Sequence, residues 1–262
     1  MLTARALHKN GVDVLLIERG ALGGESSWAG GGIISPLYPW RYQASVNTLA
    51  QKSKMLYPEL VAQLKDESGV DSELLTSGLL VVDENEVDQA LSWSKTWSVD
   101  IQHITRQQVL QTIEPALNSK IKQGLWMPDI MQVRNPKIVK ALKGSFESLI
   151  IAYREHTPVL NIIDQAGCVK GVRTQDKDIG ADKVIVAGGA WSAGLVEGVH
   201  KVAVEPVKGQ MIMFKGEPDR LRRIVLSAGH YVIPRRDGHV LAGSTLERTG
   251  FDKSTTENAL QE

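Results

Sequence analysis

The first eighteen residues narrow the choice of fold more than any other stretch of the chain. Leu2, Ala4, Ala6 and Leu7 sit at helical spacing, and Gly11 follows as the residue that most easily takes the left-handed turn ending a helix. Residues 12–17 then read as a buried strand closing on an acid, Glu18. A helix that passes directly into such a strand is the second half of a βαβ unit, because parallel strands are joined by a crossover helix. The first strand of that unit is expected ahead of residue 1.

Glu18 has two readings. In dinucleotide-binding folds an acid at this strand end accepts hydrogen bonds from the adenosine ribose hydroxyls, with a G-x-G-x-x-G turn about 20 residues earlier. A surface acid in a turn would look the same. The segment GGESSWAGGGIISP, residues 23–36, then places five glycines in fourteen residues. Bare backbone lets N–H groups approach a ligand, and Ser26 and Ser27 add donors suited to phosphate or a flavin ring. A flexible loop followed by a tight helix-to-sheet contact is the other explanation.

The remainder of the chain alternates helix and strand. Helices are expected over 45–65, 87–97, 106–113 and 138–151, the last with Asn135 as cap and Pro136 in the first turn. Residues 79–82, 123–127 and 130–133 read as strands. From 159 to 187 the pattern is a meander: a strand, a turn at Ala166-Gly167, a strand, a polar turn with Gly180, and a final buried strand ending in Val184-Ile-Val-Ala-Gly-Gly189. Residues 202–214, 231–234 and 240–244 suggest a second, more antiparallel sheet. Ser254-Thr-Thr-Glu257 has capping-box form and opens a last helix.

Composition excludes several function classes. Thirty basic residues balance thirty acidic ones, so no nucleic-acid or anionic-membrane partner is expected. No apolar run approaches the roughly 20 residues of a membrane span, and residues 1–10 lack a signal-peptide core. The single cysteine, Cys168, fits a reducing compartment and a packed apolar thiol, and the expected location is cytoplasmic. Six histidines form no H-x-x-x-H spacing, so no metal site is expected, and no serine sits in a nucleophile elbow. Tyr38-Pro-Trp-Arg-Tyr42 reads as a packed aromatic turn, with the lining of a substrate entrance as the alternative. Lys208 and Gly209 fit either a strand end at a ligand or a solvated lysine.

Taken in order, four features resemble the D-amino acid oxidase family of FAD enzymes. They are the strand with its terminal acid, the Gly-Gly-x-Ser-Ser-x-Ala-Gly-Gly-Gly run, Val184 to Ser192, and Pro206-Val-Lys-Gly-Gln210. Tyr231-Val-Ile-Pro-Arg-Arg-Asp-Gly238 and the following Ala-Gly-Ser-Thr-Leu-Glu247 look most like its glycine-oxidising branch in the thiamine pathway. The resemblance implies a mixed α/β and α+β fold, incomplete at both ends. Its FAD-binding βαβ-type domain would span 1–44 and 135–200, and its antiparallel-sheet substrate domain 45–134 and 201–262.

Residue by residue, the resemblance assigns Glu18 and Arg19 to the ribose region, Ser26 and Ser27 to the pyrophosphate, and Gly31, Gly32 and Ile33 to the flavin. It sets the Val159 backbone at the adenine and the Tyr231 hydroxyl at the substrate carboxylate. A strand aromatic with its hydroxyl at the surface is the alternative for Tyr231. The implied chemistry is oxidation of the amine of glycine or another small amino acid, with FAD as cofactor, oxygen as electron acceptor, and a homo-oligomer as the usual assembly. No side-chain acid or base is required, so no catalytic residue is named. Because the pyrophosphate turn and the carboxylate-binding arginines would lie outside residues 1–262, weak FAD binding by the chain is a further expectation. D-amino acid dehydrogenase and sarcosine oxidase activities, or an inactive polypeptide, are the alternatives.

Overall fold

The computed structural model describes residues 1–118, 120–196 and 204–261. The chain opens with α1 (Leu2–Lys9), β1 (Leu15–Ile17) and the four-residue α2 (Ser26–Ala29), followed by the long α3 (Ala44–Ser68). Next come β2 (Leu75–Thr76), β3 (Leu79–Val81), α4 (Val87–Trp97), β4 (Gln102–Thr105) and α5 (Arg106–Gln108), which widens into a π-turn over Val109–Ile113. β5 (Gln123–Met127), β6 (Met131–Gln132), α6 (Asn135–Ser148) and β7 (Ala152–Arg154) complete the first half. The second half holds β8 (Val159–Gln165), β9 (Cys168–Thr174), β10 (Asp178–Gly180), β11 (Met211–Lys215), β12 (Ile224–Ser227), β13 (His230–Pro234), β14 (His239–Gly243) and α7 (Glu257–Gln261).

The largest sheet has seven strands in the order β11-β14-β13-β12-β3-β5-β4. All its pairs are antiparallel except β12 against β3, where Val225 lies opposite Leu80. β3 reads Leu-Leu-Val without alternation because both of its faces are covered. Leu79 and Val81 join Leu125, Met127, Ile224, Leu226, Ile233 and Trp93 on one side. Leu80 meets Ile104, Val109, Trp126 and Val225 on the other. Truncating a buried leucine of this kind costs about 2–5 kcal/mol.

Beside this sheet, α3 and α6 pack through Val61, Leu64, Ile138, Ala141 and Leu142, and Ile34, Met131 and Val133 close that core from the edge. α1 is pinned to both helices by one buried network. The Arg5 guanidinium donates to both carboxylate oxygens of Glu67 (3.0 and 2.5 Å), and Ser145 Oγ donates to the same carboxylate at 2.5 Å. Burial pushes the Glu67 carboxyl upward, but the hydrogen bonds from Arg5, Ser145 and Lys9 outweigh it and hold the group at about 2. β1 leaves this helical support and pairs in parallel with β7, Leu15 opposite Ala152.

Several expectations change. The first strand begins at Leu15, not Val12, and it is not buried: Val12 is 46% and Leu15 37% exposed. The reason is that β1 has a partner on one edge only among the described residues. Residues 183–188 are likewise not a strand, since no ladder partner engages them among the described residues, and Ile185 is 61% exposed. Gly180 belongs to β10, and the polar turn is at 175–177. Residues 202–203 lie outside the described residues, and the strand expected over 202–214 is β11.

Leu49 and Leu56, read as part of the packed face of α3, are 70% and 64% exposed, because the core contacts only the later Val61 and Leu64 face. Cys168 is an exposed free thiol rather than a packed one, since it opens β9 at the hairpin turn Ala166-Gly167. Lys208 is not solvated: its side chain is 9% exposed, facing Glu247 and Asp252. At the end of the chain Thr256, not Ser254, accepts from the Ala259 N–H in the first turn of α7, while Ser254 is tied to Asp252. Tyr38 is packed, edge-on to Trp40, as the aromatic turn requires. Among the described residues no helix is long and apolar enough to cross a membrane.

Candidate functional site

Glu18 sits at the end of β1, where its N–H donates to the Arg154 carbonyl (2.8 Å) and its own carbonyl accepts from the Thr157 N–H (2.9 Å). That second bond carries the chain alongside Glu18 just before Val159, the half-buried first residue of β8. Two candidates far apart in sequence are thereby neighbours. One carboxylate oxygen of Glu18 accepts from the Gly20 N–H at 2.9 Å, which fixes the turn and leaves the other oxygen without a protein donor among the described residues. Arg19 is engaged elsewhere. Its guanidinium lies 3.7 Å over the Trp191 ring and donates to Glu25 at 2.8 Å, and Glu25 also receives Lys253. Trp191 stacks on Phe251 at 4.9 Å, so Arg19 belongs to an aromatic and ionic cluster.

α2 presents Ser26 and Ser27 as exposed residues, and neither hydroxyl is hydrogen-bonded among the described residues. The following glycines run beside residues 131–133. The Val133 N–H donates to the Gly32 carbonyl and the Ile34 N–H to the Met131 carbonyl, both at 2.9 Å, and Ile33 bridges Gln132. Gly32 has φ +77°, and a Cβ there would stand 2.1 Å from the Val133 carbonyl oxygen. Only glycine fits. The close-contact explanation of this segment therefore holds for Gly32, while Ser26 and Ser27 remain free for a ligand.

Gly31 lies against β13. A Cβ on Gly31 would be 2.7 Å from Ile233 Cδ1 and 3.5 Å from the Tyr231 hydroxyl. Tyr231 is half-buried and its hydroxyl meets Met211 Sδ at 3.2 Å, a weak acceptor. The hydroxyl is held over the glycine segment with its stronger hydrogen-bonding capacity unspent.

Two residues of this site were not singled out by sequence. Asn135 was read as a helix cap, yet α6 has no side-chain cap bond. Its Nδ2 donates instead to the Ser27 carbonyl at 2.9 Å, and its buried Oδ1 has no hydrogen-bond partner. Arg235 is 8% exposed and donates to the Gly31 carbonyl at 2.7 Å. It follows β13 by one residue, and no sequence signal marks its role.

The residues present fit a flavin dinucleotide. Bare backbone at Gly31 beside Tyr231, a buried Asn135 oxygen with no hydrogen-bond partner among the described residues, and the unengaged Ser26 and Ser27 hydroxyls are the groups such a ligand needs. A cavity of about 220 Å³ bounded by Ala116, Arg220, Pro234 and His239 lies at the Pro234 end of β13 and, of the site residues named above, is lined by Arg235 alone.

The model of the FAD dependent oxidoreductase (DAO) family matches residues 1–262. A glycine oxidase of Pseudomonas aeruginosa is 42% identical over 261 residues, covering 99% of this chain and 71% of that protein. One from Pseudomonas putida is 41% identical over 263 residues, covering 100% and 72%. Among solved structures, glycine oxidase from Bacillus cereus ATCC 14579 is similar with a TM-score of 0.90 at 25% identity, covering 98% of this chain and 71% of that one. Matched along its whole length by the family model, this chain belongs to the FAD dependent oxidoreductases.

Proposed function

We propose that the chain oxidises the amine of glycine or another small amino acid, in thiamine biosynthesis, with FAD as cofactor. The observation that carries this reading is the Tyr231 hydroxyl standing over Gly31, which brings the candidate carboxylate grip and the candidate flavin cradle within one side chain of each other. When bound, FAD supplies the sink for the hydride leaving the amine-bearing carbon, and oxygen takes the electrons on as hydrogen peroxide. The imine left behind adds water and yields the oxo acid, glyoxylate from glycine, and ammonia.

The chain's own residues bind and orient. The second oxygen of Glu18 accepts from ribose hydroxyls, Ser26 and Ser27 donate to the pyrophosphate, and the Val159 backbone borders the adenine. Gly31, Gly32 and Ile33 would border the flavin, the two glycines offering bare backbone to it. Tyr231 donates to the substrate carboxylate, an interaction with a charged acceptor that outcompetes its present contact with Met211 sulfur. No side chain of the chain is required as acid or base. Arg19, tied to Trp191 and Glu25, contributes to the ribose region by fixing the turn after Glu18 rather than by direct contact.

The same reading proposes a flavin domain over 1–44 and 135–200 and a substrate domain over 45–134 and 201–262. The parallel pairing of β1 with β7 supports the first, and the seven-stranded sheet, which draws on both parts of the second, supports the other. A cytoplasmic homo-oligomer is the proposed form.

The test is direct. The purified chain, reconstituted with FAD, is assayed for bound flavin absorbance and for peroxide released from glycine, with sarcosine and D-alanine as comparators. Flavin uptake that needs excess FAD, as weak binding requires, and glycine-dependent peroxide are expected. A chain that takes up no flavin, or a flavin-loaded chain that gives no peroxide from glycine, would overturn the proposal.

A further inference from the structure

Tyr231 and Ile233 share a face of β13 that meets the glycine segment, and Arg235 follows in the same alternation one residue past the strand's end. Arg235 Nη2 donates to the Gly31 carbonyl at 2.7 Å, while Nη1 donates to Gln132 Oε1 at 2.6 Å and to the Val133 carbonyl at 3.0 Å. Gln132 is in turn fixed by its Nε2 donating to the buried Ser77 hydroxyl at 3.0 Å. One guanidinium therefore spans the glycine segment, the strand that segment pairs with, and the strand carrying Tyr231.

The partners are unusual for a buried cation. All three are neutral oxygens, and no carboxylate lies within ion-pair distance of Arg235 among the described residues. Desolvation, with the neighbouring Arg134 charge, pushes its pKa down to about 10. Burying a charge against neutral acceptors is a poor way to gain stability, since an uncharged donor would avoid the desolvation cost. What an arginine offers here is reach and a rigid fork, able to hold three acceptors from separate segments in one geometry.

We infer that Arg235 is a positioning residue for the flavin site: it fixes the Gly31 carbonyl, and so the Gly31-Gly32-Ile33 backbone, at a set separation from the Tyr231 hydroxyl. The inference rests on the proposed function for the identity of the ligands and deepens it by naming the group that couples them. If the Gly31 carbonyl is released, the ring seat and the carboxylate grip lose their register, although neither Tyr231 nor any residue touching the substrate has changed.

The experiment compares the wild-type chain with R235K and R235M. Two readouts do not depend on turnover: amide hydrogen exchange of the apo chain, and FAD affinity by quenching of flavin fluorescence. R235K should keep the wild-type far-ultraviolet circular dichroism. Exchange at the Ile34 and Val133 amides, which bond across the glycine segment, should quicken at least about tenfold in both variants, with Leu80 and Val225 in the large sheet unchanged. FAD affinity should fall about tenfold, the change expected for losing one hydrogen bond from a charged donor.

Unchanged exchange at Ile34 and Val133 in R235K overturns the inference. So does quickened exchange with FAD affinity and glycine kcat/KM both unaltered, which would make Arg235 only a structural tie. If R235M does not fold, R235K alone decides. A wild-type chain that takes up no FAD overturns the functional reading and this inference with it, whereas normal FAD uptake with R235K indistinguishable from wild type overturns this inference alone.

Discussion

Substituting alanine at Gly32 should be among the most damaging single methyl groups in the chain. Two costs combine there. Holding a non-glycine residue at φ +77° costs about 1–2 kcal/mol, and the added Cβ would lie 2.1 Å from the Val133 carbonyl oxygen and 2.5 Å from Asn135 Oδ1. The first of these neighbours is backbone already bonded into the segment, so relief requires moving the chain, at about 1–3 kcal/mol. A total near 3–4 kcal/mol corresponds to a melting temperature lower by about 10 °C. Two companion variants separate the terms. Gly11→Ala has a similar φ of +79° with nothing within 4 Å, and should cost about 1–2 kcal/mol. Gly31→Ala has no left-handed backbone, and its Cβ would meet the mobile end of Ile233 at 2.7 Å, costing about 1–2 kcal/mol. The gain from restricting the unfolded chain is common to all three and cancels in the comparison. Thermal unfolding followed by circular dichroism gives the order Gly32, then Gly31 and Gly11 together. If Gly32→Ala melts within about 2 °C of Gly11→Ala, the close contact with residues 131–133 is not what requires glycine.

Four other outcomes are expected. Glu67 has a folded pKa of about 2 against its ordinary 4.5, so its contribution is complete above about pH 4.5 and is lost as pH falls toward 2. Urea unfolding between about pH 7 and 3 should show this loss, and Glu67→Gln should lower stability at neutral pH while flattening the acid limb; an identical limb in the variant refutes the assignment. Tyr231→Phe should raise the KM for glycine about tenfold while leaving FAD affinity intact, since only a hydrogen bond to a charged carboxylate is removed; a loss confined to kcat would argue for another role. Asn135→Ala should cost about 1 kcal/mol by freeing the Ser27 carbonyl and should weaken FAD binding, as read by chemical unfolding and flavin titration, and no change in either would detach Asn135 from the site. Cys168 should react with a thiol reagent in the native chain at the rate seen in denaturant, and a buried, slow thiol would contradict its exposure.

What could be read from the sequence follows what is local. Residues 87–97 and 123–127 appear as α4 and β5 with the expected bounds, because periodicity and flanking breakers there are supported by their surroundings. Where tertiary partners decide, the reading goes astray. Residues 183–188 have every local mark of a buried strand but no neighbour to pair with among the described residues. Asn135 stands in a sequence context ideal for a cap, yet its amide finds Ser27, more than a hundred residues earlier. The reciprocal capping box forms at Thr105 and Gln108, not at Ser254, where Asp252 competes for the serine. In the site, Tyr231 and the glycine run were accessible through their motif. Arg235 was not, since nothing in the order of residues reveals that a guanidinium will end up with three neutral oxygens.

The parallel pairing of β3 with β12 has a consequence for how the chain acquires its shape. β3 takes β5 on one edge from the same half of the sequence, Leu80 opposite Trp126, and waits for Val225 on the other. During synthesis, and in refolding, one edge of its most apolar strand stays uncovered until more than half of the chain is in place, and such non-local pairing is slow because loop closure precedes its reward. Pulse-labelled amide exchange should protect Trp126 before Val225. β3, fully covered in the finished sheet, thus spends that time as an edge, and the interval before β12 arrives is when this chain is most exposed to pairing with another copy of itself.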